Sequence, residues 1–287
     1  MEGITDEVRR LFFRYDHDLP LDVDQDPPVE LDGLGYQRVV FWSTHHQRVP
    51  AVVVNPLGEE GRRPVLMIQH GAGGRKDEPR MQGLMSSWAR HGFLCICSDS
   101  PLHGERGGGT VDPRLLLQRP YTGLDFIVQY VVDLMRTVDY LQTRGDADIS
   151  RLGYAGFSMS TILGVQFVAL DQRVRAASFA IGGAGLFHFF SGWLPQDQRE
   201  DHETVATLMD PMHYAPLISP RPVVMVNSLR DTLLPPPLGH VLFNALQQPK
   251  QIHWYDGPHG DIPTVELEWI RKFFTAQLQT AKAPQAR

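Results

Sequence analysis

The chain has 287 residues, with 27 Lys and Arg against 33 Asp and Glu, a formal net charge of -6, 42% hydrophobic and 21% charged residues. That length buries one sizeable core, and the composition is that of an ordinary globular protein. The acidic balance without a basic run argues against a nucleic-acid partner, and no stretch approaches the ~20 apolar residues of a membrane span.

The first residues carry Glu2, Asp6, Glu7, Arg9 and Arg10 and lack the apolar segment of a secretory signal, so a cytoplasmic location is expected. Residues 4–15 read as a short helix, and 19–32, rich in Pro and Asp, as an extended arm. Runs at 39–43 and 49–55 flank a polar turn and predict an antiparallel hairpin. The apolar runs PVLMIQ (64–69) and FLCICS (93–98) predict strands buried on both faces. Between them Met81, Leu84, Met85, Trp88 and Ala89 recur at helical spacing, with Gly92 as a stop. Ile127, Tyr130, Val131, Leu134, Val138 and Leu141 mark a second amphipathic helix.

Strands follow at 151–157, 176–181, 222–227 and 251–255, and helices at 162–170, 238–246 and 265–278. The alternation predicts a mainly parallel sheet covered on both faces, with the hairpin at one edge. Residues 186–219 break the rhythm and read as a small cap inserted after a strand. The expected division is a helix and arm at 1–35, an α/β domain at 36–280 and a tail at 281–287. Cys95 and Cys97 share one face of a strand roughly 6.5–7 Å apart along the chain, which suits packing better than a disulfide, a metal or a redox pair.

Gly156-Phe157-Ser158-Met159-Ser160 lies between a predicted strand and a predicted helix. A serine there sits on a sharp turn that lifts its hydroxyl above the sheet. Ser160 replaces the second glycine of G-x-S-x-G, and the alternative reading of Ser158 is a plain N-cap of the following helix. A hydroxyl attacks a carbonyl only when a base takes its proton. His259 follows the last strand, in DGPHG, and Asp231 follows the PVVMVN strand, in LRDTL. A carboxylate is needed to orient the imidazole. The order Ser158, Asp231, His259, each just beyond a parallel strand, therefore predicts a nucleophile, its orienting acid and its general base. The loop QHGAGG (69–74) offers the Ala72 N–H which, with the Met159 N–H, forms a candidate oxyanion hole. Gly71 lets the backbone approach the substrate.

With HGAGG (70–74), DSPLHGER (99–106), GFSMS (156–160), DPMHYAPLISPRP (210–222) and DGPHG (256–260) in place, residues 39–274 resemble the α/β-hydrolase superfamily, nearest to its dienelactone-hydrolase-like and acetyl-xylan-esterase-like branch. The resemblance implies the α/β-hydrolase fold, an eight-stranded sheet whose first strands are antiparallel. Ser160 departs from the pattern, and the first 35 residues fall outside it.

The leading expectation is a serine carboxylesterase that acts on small or medium esters through an acyl-enzyme, with no cofactor and no metal. The alternatives are a peptidase or a carbon–carbon bond hydrolase on the same fold, and a non-catalytic binding protein. The expected partner is a small-molecule ester, with no nucleic acid and no membrane; the oligomeric state, a homodimer included, stays open.

Phe187, Phe190 and Trp193, with Phe189 among them, either line the substrate pocket or pack the cap. Asp99, Asp197, Asp201 and Asp210 are weaker candidates for the acid. Arg75 and Lys76 are read as solvated charges or as a binder of a substrate carboxylate. His70 and His103 are read as orienting active-site loops, and His45-His46 as exposed.

Overall fold

The computed structural model of the chain describes residues 6–58, 61–107, 120–186, 191–193 and 196–279. Helix α1 (Asp6–Phe12) leads into an arm that contributes two short strands, β1 (Asp24–Gln25) and β2 (Val29–Leu31). The hairpin follows as β3 (Leu34–Trp42) and β4 (Arg48–Pro56). Then come β5 (Arg63–Gln69), α2 (Pro79–Ala89), β6 (Leu94–Ser98), α3 (Pro120–Thr143), β7 (Ala147–Phe157) and α4 (Met159–Leu170). The chain continues through β8 (Val174–Ala180), α5 (Arg199–Met209), β9 (Val223–Ser228), α6 (Pro236–Ala245), β10 (Lys250–Tyr255) and α7 (Thr264–Phe274).

The strands form one sheet in the order β1-β3-β4-β6-β5-β7-β8-β9-β10, with β2 beside β3. The six strands from β6 to β10 along this order are parallel, and the hairpin joins them antiparallel through β4. The eight long strands match the expected sheet. The arm adds β1 and β2, which bring the sheet to ten strands.

Alternation of side chains sorts the core into two layers. On β5, Val65 and Met67 pack with α3, α4 and α6, whereas Leu66 and Ile68 pack with α2 and α7. All four are fully buried. At about 1.5–3 kcal/mol each, an upper bound, they fix this strand at the sheet centre. Cys95 and Cys97 share the second layer as buried free thiols, and desolvation pushes both well above the usual thiol range.

The arm is bound to the body by polar staples. Tyr15 Oη donates to Asp139 Oδ2 at 2.8 Å, and buried Arg136 donates through Nη2 to the Leu19 carbonyl at 2.7 Å. Phe13 enters the core edge-on against Tyr214, with ring centroids 6.0 Å apart.

The region read as irregular, 186–219, contains α5 (REDHETVATLM) and several 3-10 turns. Within α5 the apolar residues fall in the C-terminal half, where Met209 is buried and Val205 and Leu208 partly so. The polar first half hides the helical period. No helix of the described residues is long and apolar enough to cross a membrane.

Because the six parallel strands run the same way, the segments after β5, β6, β7, β9 and β10 emerge along one edge of the sheet. Open α/β sheets present their ligands at such an edge, near the point where strand order reverses. Here the chain leaves β5 toward β6 and returns to β7 on the other side of β5.

Candidate active site

Strand β7 ends at Phe157 and α4 begins at Met159, so Ser158 alone makes the turn, with φ 54° and ψ -114°. A non-glycine residue at positive φ is strained and persists only where its surroundings hold it. The Ser158 N–H donates to the Ala180 carbonyl at 2.9 Å, and the Ser158 carbonyl accepts from Thr161 N–H at 2.9 Å. Gly156 is required by contact: a Cβ there would lie 2.1 Å from the Ser160 carbonyl oxygen. Ser158 occupies the N-cap position of α4, yet its side chain makes no cap bond. Its Oγ lies 3.0 Å from His259 Nε2.

His259 stands in the loop after β10, and Asp231 in the loop after β9. His259 Nδ1 donates to Asp231 Oδ2 at 2.5 Å, and Asp231 Oδ1 accepts from the N–H groups of Leu233 and Leu234 at 2.9 and 2.8 Å. The carboxylate is 2% exposed and the imidazole 20%. An ionised carboxylate accepts only, so Nδ1 carries a proton and Nε2 is left to accept from Ser158. The histidine loop is pinned from below. Tyr255 Oη donates to the Pro258 carbonyl at 3.1 Å, and Ser228 Oγ donates to the Gly257 carbonyl.

The loop after β5 lies against the nucleophile, since a Cβ on Gly71 would meet Ser158 Cβ at 3.2 Å. Its direction is set by His70. His70 Nδ1–H donates to the Gly71 carbonyl at 2.8 Å, and Nε2 accepts from Ser100 N–H at 3.3 Å. Burial lowers the His70 pKa to about 4, which keeps this neutral tautomer. In a trans peptide the C=O and N–H point opposite ways, so a fixed Gly71 carbonyl aims the Ala72 N–H away from His70. The Met159 N–H is one of the orphan donors at the start of α4.

The other candidates separate. Lys76 is neither a solvated charge nor turned to a ligand. Its side chain is 2% exposed and pairs with Asp99 at 3.1 Å and Glu105 at 2.7 Å. Arg75 pairs with Asp77 at 2.9 Å on the surface. Asp99 ties the loop after β5 to the loop after β6, accepting from the N–H groups of Lys76 and Glu105. Asp210 accepts from the N–H groups of Gly185, Leu186 and Met212, while His259 pairs with Asp231. Asp197 is exposed. His103 Nδ1 donates to the Pro101 carbonyl at 2.8 Å, and His45 and His46 are exposed. Among the described residues no cluster of His, Cys, Asp or Glu is arranged to hold a metal. Phe187, Phe189 and Phe190 lie outside the described residues, as do the side chains of Trp193 and Asp201.

Sequence reasoning missed the supports: Ser100 behind His70, Tyr255 and Ser228 beneath the histidine loop, and the partners of Lys76. The contacts of Ser100, Ser228 and Lys76 join segments at the ends of separate strands, for which local pattern carries no signal, whereas Tyr255 reaches Pro258 within its own loop.

The chain has the α/β-hydrolase fold, with a Ser–His–Asp row at the C-terminal edge of the parallel strands. An acetyl xylan esterase from Paenibacillus sp. R4 superposes with a TM-score of 0.79 at 22% identity, covering 97% of this chain and 96% of that one. Acetyl xylan esterase 1 from Thermoanaerobacterium sp. JW/SL YS485 also gives 0.79, at 18% identity over 95% and 93%. In sequence, the chain is 25% identical over 141 residues to the Bacillus subtilis (strain 168) protein named "Putative hydrolase YtaP". That match spans 45% of this chain and 47%, about half, of its relative. No protein-family model matches the chain.

Proposed function

We propose that the protein is a serine hydrolase that cleaves carboxylic esters of small or medium size through an acyl-enzyme intermediate. The observation that carries this reading is the continuous row from Ser158 Oγ to His259 Nε2 (3.0 Å) and from His259 Nδ1 to Asp231 Oδ2 (2.5 Å). Ser158 Oγ attacks the ester carbonyl carbon while His259 Nε2 takes its proton. Asp231 stabilises the imidazolium that forms. The carbonyl oxygen becomes an oxyanion held by the Ala72 and Met159 N–H groups. The tetrahedral intermediate collapses, and His259 passes the proton to the departing alcohol. Water, deprotonated by His259, then attacks the acyl-enzyme and releases the carboxylic acid.

Similarity of fold to two acetyl xylan esterases supports an ester as the scissile group. The short insertion at 186–219 supports small or medium acyl and alcohol parts. The test is hydrolysis of nitrophenyl acetate, butyrate and octanoate by the wild-type protein and by Ser158→Ala. Activity falling from the short to the long ester, and absent from the variant, is expected. Activity independent of Ser158 contradicts the mechanism, and a preference for octanoate contradicts the size.

A further inference from the structure

Ser160 stands where the usual pattern has its second glycine, and its side chain is fully buried. Three groups meet it. Ser160 Oγ lies against the His70 carbonyl oxygen, which only accepts, so the hydroxyl proton is committed there. Tyr130 Oη, from α3, therefore donates to Ser160 Oγ, at 2.7 Å. Tyr154 Oη, from β7, donates to the Ser160 carbonyl at 2.6 Å. Tyr130 and Tyr154 are themselves buried, and every donor in the chain Tyr130 → Ser160 → His70 has its acceptor.

The position of this chain gives it a consequence. The two candidate oxyanion donors belong to different segments, Ala72 to the loop after β5 and Met159 to the start of α4. The ladder between β5 and β7 ends where Gln69 lies opposite Gly156. Ser160 Oγ extends the link past that end, from the residue after Met159 to the carbonyl two residues before Ala72. A glycine has no atom to make this bond.

We propose that Ser160 is a positioning residue, whose hydroxyl, backed by Tyr130, holds the Ala72 and Met159 N–H groups at a fixed separation for the oxyanion. The proposal rests on the reading of Ser158 as the nucleophile. It makes the departure from glycine an alternative way of bracing the nucleophile turn. A misplaced donor weakens only the state in which the charge has developed, so the loss falls on kcat and leaves KM in place.

The test compares Ser160→Ala, Tyr130→Phe and Ser158→Ala with the wild type, using a short-chain nitrophenyl ester and a phenylboronic acid that forms a tetrahedral adduct on serine. Ser160→Ala is expected to lose about 10- to 100-fold in kcat, below or at the lower end of the loss for deleting an oxyanion donor outright. KM stays close to the wild-type value, and the boronic acid Ki rises by the factor by which kcat/KM falls. Tyr130→Phe leaves the Ser160–His70 bond in place and is expected to show a smaller, parallel change in kcat and Ki. It carries the test if Ser160→Ala fails to fold. Unchanged kcat and Ki in a folded Ser160→Ala, whatever its melting temperature, overturn the proposal and leave the residue as packing. If Ser160→Ala does not fold, unchanged values in Tyr130→Phe overturn it. Activity retained in Ser158→Ala is a different failure, that of the serine mechanism itself.

Discussion

Replacing Asp231 by asparagine isolates the electrostatic part of the row from its packing. Asp231 Oδ1 accepts two backbone N–H groups, from Leu233 and Leu234, while Oδ2 accepts from His259. An asparagine keeps its single oxygen where two donors converge, because an NH2 group there would face two N–H groups. Its NH2 then faces His259 Nδ1, which must accept. The imidazole proton moves to Nε2, and the ring no longer accepts from Ser158 Oγ. The wrong tautomer costs about 10⁴-fold in turnover in triads of this kind, or about 5.5 kcal/mol of transition-state stabilisation. The fold is retained, because shape and the two backbone bonds persist. The assay is kcat/KM on a short-chain nitrophenyl ester near pH 8, with a thermal melt as control. Asp210→Asn, altered at a carboxylate that accepts from the N–H groups of Gly185, Leu186 and Met212 while His259 pairs with Asp231, should keep kcat per folded molecule. If Asp231→Asn retained more than about a tenth of wild-type kcat/KM, or if Asp210→Asn were the inactive one, the assignment of the acid would be refuted.

Three further outcomes follow from the surrounding groups. His70 has its pKa lowered to about 4 by burial, against about 6.5 unfolded, so the unfolded chain binds the extra proton as pH falls through this window. Its contribution is present above pH ~6.5 and decays toward pH ~4 by about 3 kcal/mol; His70→Asn should flatten that part of the curve in urea unfolding, and an unchanged slope would count against the neutral, buried imidazole. Lys76→Met leaves the Asp99 carboxylate buried without its cation, a loss of about 3 kcal/mol or more. That corresponds to a melting temperature lower by roughly 6–12 °C, and an unshifted melt would mean that the Lys76–Asp99–Glu105 cluster contributes nothing. Prolonged treatment with a chelator should leave ester hydrolysis unchanged; loss of activity restored by zinc would contradict the serine mechanism.

The parts of this molecule that were legible in its sequence are those with a local cause. Runs such as PVLMIQ and FLCICS are apolar because both sheet faces are covered, and they became β5 and β6. Ser158, Asp231 and His259 each sit just past a strand end, so residue type and chain order sufficed to nominate them, and the structure brings them together. Other features depend on distant partners. The helix Arg199–Met209 begins in a polar stretch, REDHET, which has no apolar residue to mark the helical period. Strands β1 and β2, of 2 and 3 residues, are too short to show alternation. Lys76 stands among Arg75, Asp77 and Glu78, a context that reads as solvent-facing, and only the arrival of Asp99 from β6 explains its burial. Ser160 acts on a carbonyl 90 residues away in the chain, and nothing in GFSMS announces it.

In the proposed mechanism Ser158 is a nucleophile activated by His259. A fluorophosphonate probe reports this directly, because it reacts with an activated serine hydroxyl and leaves an adduct measurable by intact mass and peptide mapping. One adduct per chain is expected, located on Ser158, absent from Ser158→Ala and strongly slowed in His259→Ala, with ester hydrolysis lost in the same two variants. An adduct on another residue, or hydrolysis that survives Ser158→Ala, would contradict it.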